Sequence, residues 1–211
     1  MENHQLVLVL DFGGQYNQLI ARRVREHNVY CEVKPYKTSI EEIKALNPIG
    51  IIFTGGPNSV YEEKSPKCDP ALFELGVPVL GICYGCQLMA HTLGGEVTAA
   101  QEDTAREYGK TETFYNTDCK LFKGLPEQGI SWMSHGDYMA KVPDGFALTA
   151  HSDSCPNVAI ADEARGFYGV QFHPEVNHTQ HGIDMIHNFL YEVCRAKGDW
   201  TMEDYCRTAI A

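Results

Sequence analysis

The chain has 211 residues, of which 44% are hydrophobic and 21% charged, which is enough apolar material for one large domain with a packed core. Lys and Arg total 17 against 28 Asp and Glu, so the formal net charge is -11. A negative field of this size repels a phosphate backbone, and we expect no nucleic-acid partner. No apolar stretch approaches the roughly 18 residues needed to cross a bilayer, so we expect no membrane partner either.

The 8 cysteines are irregularly spaced, and the N-terminus shows no secretory leader pattern. This combination predicts a cytoplasmic protein with reduced thiols rather than a disulfide framework. Six of the cysteines are expected to be buried or half-buried small hydrophobic residues. These are Cys31, Cys68, Cys119, Cys155, Cys194 and Cys206.

The first half of the chain alternates between apolar runs and helical periodicity. Strands are predicted at residues 6–12, 29–33, 49–54 and 77–82. Between them lie helical patterns, one of which begins at Ser39 with Glu42 three residues later, the signature of a capping box. Buried strands separated by helices indicate an α/β fold. We expect a mainly parallel open sheet with helices on both faces, built on a flavodoxin-like core.

Shorter and more polar strands follow from about residue 96. They are predicted at 109–115, 129–133, 146–150, 157–161 and 167–172. We expect them to add further, mostly antiparallel strands to the main sheet. A single helix predicted over 179–195 closes the domain.

The stretch GICYGCQ, residues 81–87, places Cys83 between two glycines at the end of an apolar strand. This is the pattern of a nucleophile elbow, a sharp strand-to-helix turn that leaves room only for small neighbours. The partial positive charge at the N-terminus of the following helix favours the thiolate form of Cys83, which is the reactive form, over the thiol. Three alternatives remain at this point: Cys83 and Cys86 form a redox dithiol, they supply half of a zinc site together with His178 and His181, or they are purely structural.

The stretch GVQFHPEV, residues 169–176, favours the nucleophile. Pro174 biases His173 toward an extended backbone, in which residues two apart point to the same side. Glu175 can therefore lie beside the His173 ring. A cysteine, a histidine and a carboxylate make the three-part arrangement of acyl-transfer catalysis. Cys83, His173 and Glu175 are thus the candidate catalytic residues, and we expect no metal site.

GICYGCQ and the FHPEV that follows about 90 residues later resemble motifs of the class I, or triad-type, glutamine amidotransferases. Three further stretches resemble the GMP synthetase branch of that family: DFGGQYNQLIARRVRE at 11–26, SWMSHGDYM at 131–139 and YGVQFHPEVNHT at 168–179. The resemblance covers essentially the whole chain. The family commonly has methionine where Cys86 stands and serine where Gly14 stands, so neither residue is expected to be essential to the shared reaction.

The resemblance implies that Cys83 attacks the side-chain carboxamide of L-glutamine and forms a thioester. His173, oriented by Glu175, then protonates the departing ammonia, and water releases glutamate. The oxyanion of the tetrahedral intermediate is expected to be bound by the backbone N–H groups of Gly56 and Tyr84.

The resemblance also implies a pocket that fixes the amino and carboxylate groups of glutamine. Its expected residues are Gln87, Ser134, His135 and Asp137, with the Asp137 carboxylate opposite the substrate ammonium.

The same resemblance implies a partner, an ATP-pyrophosphatase or synthetase domain that aminates XMP to GMP. Its phosphate loop resembles Ser-Gly-Gly-x-Asp-Ser, a stretch that this chain lacks. We therefore expect no cofactor on this chain, with ATP and Mg²⁺ only in the partner. Residues 1–198 are predicted to form the amidotransferase domain and 199–211 to begin the linker, as in a domain excised from a longer enzyme. A free-standing subunit with the synthetase as a separate chain is the other possibility. The alternatives are an amidotransferase serving anthranilate or carbamoyl phosphate, and a γ-glutamyl hydrolase of the same fold.

Overall fold

Strands and helices alternate along the first part of the chain in the computed structural model, which describes residues 4–100 and 107–210. This part comprises β1 (Leu6–Asp11), α1 (Asn17–Glu26), β2 (Tyr30–Pro35), α2 (Ile40–Leu46), β3 (Gly50–Phe53), β4 (Val79–Ile82) and α3 (Tyr84–Thr92). The later part comprises β5 (Glu96–Ala99), β6 (Glu107–Tyr115), β7 (Gln128–His135), β8 (Asp137–Lys141), β9 (Ala147–Ser152), β10 (Ala159–Asp162), β11 (Phe167–Val170), α4 (Gly182–Asn188) and α5 (Met202–Ile210).

The main sheet has nine strands in the order β2-β1-β3-β4-β11-β10-β9-β6-β7. The first five strands pair in parallel and the remaining pairs are antiparallel. The order β2-β1-β3-β4-β11 is that of a flavodoxin-like core. The predicted α/β fold, a parallel sheet extended by antiparallel strands, is confirmed.

Helices cover both faces of the sheet because the inner strands are apolar on both sides. In β1, Val7 and Val9 belong to one core cluster and Leu8 and Leu10 to the other. Helices α1 and α4 pack on the first cluster, and α2 and α3 on the second. The Ser39 cap is also confirmed, since its side chain accepts a hydrogen bond from the backbone N–H of Glu42.

The single helix predicted over 179–195 is wrong in its extent. Helix α4 begins at Gly182 and passes into a π-helical turn, Phe189–Val193. Just before it, His181 has a left-handed backbone with φ of 61°, which interrupts helical geometry. Thr179 instead holds the loop after β11, because its hydroxyl donates a 2.6 Å hydrogen bond to the carbonyl of His173.

Strands β5 and β8 were not among the predicted elements. They pair with each other in a separate two-stranded antiparallel sheet, so the later strands do not all join the main sheet. Only Gly136 separates the end of β7 from the start of β8. The chain therefore changes sheets at the stretch that carries Ser134, His135 and Asp137.

The C-terminal region returns to the beginning of the chain. The backbone N–H of Lys197 donates to Gln5 Oε1 at 2.8 Å, and the buried Trp200 packs against Tyr30 with ring centres 5.8 Å apart. The predicted division into residues 1–198 and 199–211 stays a prediction, and its ends at 1–3 and 211 lie outside the described residues. Within the described ranges, no helix is both long enough and apolar enough to cross a bilayer.

All eight cysteines are free thiols. Four of the six assigned to the interior are buried and Cys68 is partly exposed, as predicted. The prediction is wrong for Cys206, which is exposed on α5.

Candidate active site

A cavity of about 600 Å³ opens at the carboxyl edge of the parallel strands. The loops after β1, β3, β4 and β11 meet there, at the place where sheets of this topology bind ligands. Every residue predicted for the site lines this cavity: Gly56, Cys83, Tyr84, Gln87, Ser134, His135, Asp137, His173 and Glu175.

Cys83 sits at a strained strand-to-helix corner. Its backbone has φ of 53° and ψ of -110°, and it is the N-cap of α3. Such a conformation costs a non-glycine residue about 1–3 kcal/mol. The corner is tight on both sides, because a β-carbon on Gly81 would lie 2.6 Å from the carbonyl oxygen of Gly85, and one on Gly85 would lie 2.6 Å from Phe53 Cβ. The glycines flanking the nucleophile elbow are therefore sterically required.

His173 and Glu175 form a buried pair beside Cys83. Nδ1 of His173 lies 2.7 Å from Oε1 of Glu175, and both side chains are buried. Burial lowers the pKa of His173, but hydrogen bonds to Cys83 and Glu175 and the Glu175 charge outweigh this effect and raise the pKa to about 10. A β-carbon on Gly55 would lie 3.2 Å from His173 Cε1 and 3.6 Å from Cys83 Cβ. The side chains of Cys83 and His173 therefore both lie against Gly55, and both line the cavity.

The two predicted oxyanion donors lie on adjoining segments of the cavity wall. Tyr84 is the first residue of α3, so its N–H has no acceptor within the helix. A β-carbon on Gly56 would lie 3.5 Å from Tyr84 Cγ and 2.6 Å from the carbonyl oxygen of Phe12. The loops after β1 and β3 are joined here, since the Phe12 N–H donates a 2.9 Å hydrogen bond to Thr54 Oγ1.

The predicted glutamine-binding residues converge on the β7–β8 corner. Nε2 of Gln87 donates to the carbonyl oxygen of Asp137 at 3.3 Å, and Nδ1 of His135 lies 2.7 Å from the same oxygen. The Cys83 sulfur lies 3.7 Å from the carbonyl oxygen of Ser134. The corner therefore presents main-chain groups and one carboxylate to the cavity, which suits a small zwitterionic ligand.

Sequence reasoning missed two hydroxyls that hold the Asp137 carboxylate. Ser59 Oγ donates to Oδ2 at 2.5 Å, and the Tyr61 hydroxyl donates to Oδ1 at 2.9 Å. Both come from the loop after β3, more than 70 residues away along the chain. No local pattern in the sequence indicates this contact.

Three further residues contact the loop after β11 or the nucleophile, and sequence reasoning gave none of them a role in the site. The ring of Tyr16 meets His173 edge-on, with centres 5.4 Å apart. Arg23 of α1 donates to the carbonyl oxygen of Glu175 at 3.1 Å and to Asn177 Oδ1 at 2.9 Å. Gln171 is fully buried beside Cys83, and its position two residues before His173, where the sequence predicts extended chain, is the signal that could have identified it.

The geometry does not favour the redox and zinc alternatives. Cys86 is completely buried in the core, and burial raises the pKa of its thiol. His178 packs on Trp132 with ring centres 4.8 Å apart, while His181 lies near Asp184. Across residues 4–100 and 107–210, no group of three or more His, Cys, Asp or Glu side chains is arranged to hold a metal ion.

Two curated relatives match almost the whole of this chain. The chain is 56% identical over 206 residues to the GMP synthase [glutamine-hydrolyzing] of Alkaliphilus metalliredigens, covering 98% of this chain and 40% of that protein. It is 58% identical over 205 residues to the protein of the same name from Clostridium botulinum, covering 97% and 39%. The chain thus spans about 40% of the length of the curated relatives it matches.

Solved structures with the same fold include proteins from two other organisms. One comes from Thermoplasma acidophilum, where it is provisionally named as part of a GMP synthase, and it aligns over 100% of both chains with a TM-score of 0.80 and 29% identity. A glutamine amidotransferase from Thermotoga maritima aligns over 90% of this chain and 84% of its own, with a TM-score of 0.64 and 22% identity. A family model for glutamine amidotransferase class-I matches residues 8–193. The chain therefore belongs to the class I glutamine amidotransferase family.

Proposed function

We propose that this chain hydrolyses L-glutamine to glutamate and ammonia as the glutaminase part of a GMP synthase. The ammonia is used by a synthetase region that aminates XMP to GMP with ATP. The observation that carries the proposal is the meeting of Cys83, His173 and Glu175 at one cavity, with the histidine and the carboxylate 2.7 Å apart. The names of the relatives support the GMP branch, and a synthetase region is compatible with their length, of which this chain spans about 40%.

In the first half of the reaction, the Cys83 thiolate attacks the carboxamide carbon and a C–S bond forms. The negative charge moves to the amide oxygen, which the N–H groups of Gly56 and Tyr84 stabilise; one such donor is typically worth about 3–4 kcal/mol. Glu175 engages Nδ1 of His173, which leaves Nε2 for the reaction. The raised pKa of His173 keeps the ring protonated, so it can give a proton to the nitrogen as the C–N bond breaks and ammonia leaves.

In the second half, neutral His173 takes a proton from water. The hydroxide attacks the glutamyl thioester, a C–O bond forms, the C–S bond breaks, and glutamate leaves with the thiolate restored. Glu175 stabilises the imidazolium that forms again. Its Oε2 atom is buried without a hydrogen-bond partner in the described part of the chain, and its Oε1 atom lies 2.7 Å from Nδ1 of the His173 ring.

The α-amino and carboxylate groups of glutamine are held by Gln87, by the main chain of Ser134 and His135, and by the Asp137 carboxylate opposite the ammonium. No cofactor takes part on this chain. ATP and Mg²⁺ act in the synthetase region, and a cytoplasmic location stays a prediction. We expect low glutaminase turnover from the chain alone, because a partner region normally aligns such a site.

The decisive experiment is peptide mapping after treatment with a glutamine-mimicking diazo-ketone, with free glutamine as competitor. One adduct on Cys83 that glutamine suppresses is the expected result, and Cys83→Ala is the control. Labelling at Cys86, or no labelling while a general thiol reagent still reaches Cys83, would contradict the proposal. A γ-glutamyl dipeptide tested as a second competitor separates an amidotransferase from a γ-glutamyl hydrolase, which would be protected by the dipeptide.

The GMP branch needs a separate test. A chimera would carry this chain in place of the corresponding region of the Alkaliphilus metalliredigens relative, with Cys83→Ala in the same chimera as control. We expect GMP from XMP and ATP with either glutamine or ammonium in the parent chimera, and with ammonium only in the variant. A parent chimera labelled at Cys83 that makes GMP from ammonium but not from glutamine would argue against this pathway.

A further inference from the structure

Gln171 lies completely buried between the nucleophile and the glutamine pocket. Its Nε2 atom is 3.8 Å from the Cys83 sulfur, and its Oε1 atom accepts a 3.1 Å hydrogen bond from Gln87 Nε2. The backbone N–H of Gln171 donates to the carbonyl of Val158 at 2.8 Å, which fixes the main chain just after β11. No step of the reaction described above uses this side chain.

The hydrogen-bond network determines which end of the Gln171 amide faces the sulfur. Gln87 Nε2 also lies 3.3 Å from the carbonyl oxygen of Asp137, and a carbonyl oxygen can only accept. Gln87 therefore points its NH₂ group into the network. Gln171 must meet that group with its oxygen, so its own NH₂ group faces Cys83. The amide orientation follows from this accounting of donors and acceptors.

We propose that Gln171 is a positioning residue for the nucleophile, whose amide donates a hydrogen bond to the Cys83 thiolate and connects it through Gln87 to the Asp137 main chain. The inference rests on the proposed function, in which Cys83 is the attacking group. A donor beside sulfur favours the charged thiolate over the neutral thiol, because hydrogen bonds to ionised groups are stronger than those to neutral ones.

Other groups act on the same sulfur, and the test must separate their effects from that of Gln171. The titratable side chains that line the cavity with Cys83 are Tyr16, Tyr84, Tyr108, His135, Asp137, His173 and Glu175. Cys86 lies behind the corner in the core. All of these residues remain in the variants below, so a difference between variants reports Gln171.

The test is the pH profile of Cys83 alkylation by iodoacetamide, read by peptide mass in the chain as it stands. Gln171→Met keeps the length but removes the donor, and Gln171→Glu keeps the shape but replaces the donor with a carboxylate. Thr113→Val is the control, because it removes a hydrogen bond to Ser131 from a fully buried side chain outside the cavity. We expect the midpoint of the alkylation profile to rise by about one pH unit in Gln171→Met and by more in Gln171→Glu. In Thr113→Val the midpoint should stay unchanged.

Wild-type midpoints in both Gln171 variants would overturn the inference. A second measurement avoids any variant that fails to fold: the side-chain amide signals of Gln171 in the NMR spectrum should shift as Cys83 ionises, and should not shift over that range in Cys83→Ala. Signals that do not respond in the wild-type chain would also overturn it. The two proposals can fail separately, because iodoacetamide alkylates Cys83 without needing a glutamine site. If the diazo-ketone labels Cys83 but the midpoints of the alkylation profiles are unchanged in the Gln171 variants, only this inference is wrong. If the midpoints shift in the Gln171 variants but the diazo-ketone does not label Cys83, only the proposed function is wrong.

Discussion

The sulfur of Cys86 lies 3.7 Å from the thioether sulfur of Met139, inside the core on the far side of the corner from the cavity. Its spacing from Cys83 is that of a dithiol, yet burial raises the pKa of its thiol and keeps it neutral. We expect Cys86→Ala to leave the rate of diazo-ketone labelling within about twofold of wild type and to cost about 1 kcal/mol of stability. We expect Cys83→Ala to abolish labelling. Labelling rates and urea unfolding of both variants check this.

A redox role would give the opposite pattern. It would require that Cys86→Ala lose function while remaining folded, and that the wild-type chain form a Cys83–Cys86 disulfide under mild oxidation. Either finding would contradict the assignment of Cys86 to the core.

The pair of His173 and Glu175 predicts a pH-dependent stability. Burial lowers the pKa of His173, but its hydrogen bonds to Cys83 and Glu175 raise it from 6.5 to about 10. Since the folded pKa lies above the unfolded value, protonation stabilises the folded chain. That contribution is fully present below about pH 6.5 and is lost as the pH rises toward about 10. We expect the unfolding free energy of the wild-type chain to fall more steeply with pH in this window than that of Glu175→Gln.

Urea unfolding between about pH 6.5 and 8.5 measures the difference. The upper limit matters because burial raises the pKa of thiols such as Cys31 to about 12 in the folded chain. At higher pH these thiols ionise first in the unfolded chain, which also lowers the free energy of unfolding. Parallel curves for wild type and Glu175→Gln would mean that the carboxylate does not hold the histidine in its charged form.

The close packing around Gly85, next to the nucleophile corner, predicts that a larger residue is not tolerated there. A β-carbon on Gly85 would lie 2.6 Å from both Phe53 Cβ and the Phe53 carbonyl oxygen, and backbone atoms cannot yield as a flexible side chain can. We expect Gly85→Ala to lower the unfolding free energy by about 1–3 kcal/mol or more and to slow diazo-ketone labelling of Cys83. Urea unfolding and labelling rates check this.

Gly129→Ala is the matched control, because a β-carbon there would meet its neighbours at no closer than 3.5 Å. We expect this variant to keep both wild-type stability and labelling rate. A Gly85→Ala chain as stable as Gly129→Ala would show that the corner can relax.

The sequence predicted those parts of the molecule whose signals are local. The inner strands are continuous apolar runs, and the residues of GICYGCQ and FHPEV meet because both motifs end neighbouring parallel strands, β4 and β11. Strands β5 and β8 escaped prediction because they are short, partly exposed and defined by pairing with each other. The start of α4 was misplaced because Thr179 bonds to the loop before it instead of beginning the helix.

Contacts across long stretches of chain explain most of what was missed in the site. Ser59 and Tyr61 reach Asp137 from another loop, and Arg23 reaches the backbone of Glu175 from α1. These partners are set by the topology of the sheet, which no local pattern encodes. Gln171 is different, since the alternation argument that predicted Glu175 beside His173 also predicts Gln171 on the same side.

The hydrogen bonds that Ser59 and Tyr61 donate to Asp137 predict an effect on substrate binding. Tyr61 and Ser59 each donate to one oxygen of the Asp137 carboxylate and so fix its direction toward the cavity. If that carboxylate binds the substrate ammonium, losing one hydroxyl weakens ground-state and transition-state binding equally. We expect Tyr61→Phe to raise the KM for glutamine by about 3–10-fold with little change in kcat, since a hydrogen bond to a charged group is worth about 1.5 kcal/mol or more before exposure reduces it.

Tyr30→Phe supplies the control, because the Tyr30 hydroxyl makes a hydrogen bond of the same kind and length, 2.9 Å to Glu32 Oε1, away from the cavity. Glutaminase assays of both variants, or the concentration dependence of diazo-ketone labelling if turnover is low, give the comparison. A drop in kcat with unchanged KM in Tyr61→Phe would mean that the contact between Tyr61 and Asp137 serves the chemical step and not the binding of glutamine. Equal KM values in the two variants would mean that Asp137 needs no support from Tyr61 to bind glutamine, and that Ser59 alone orients the carboxylate.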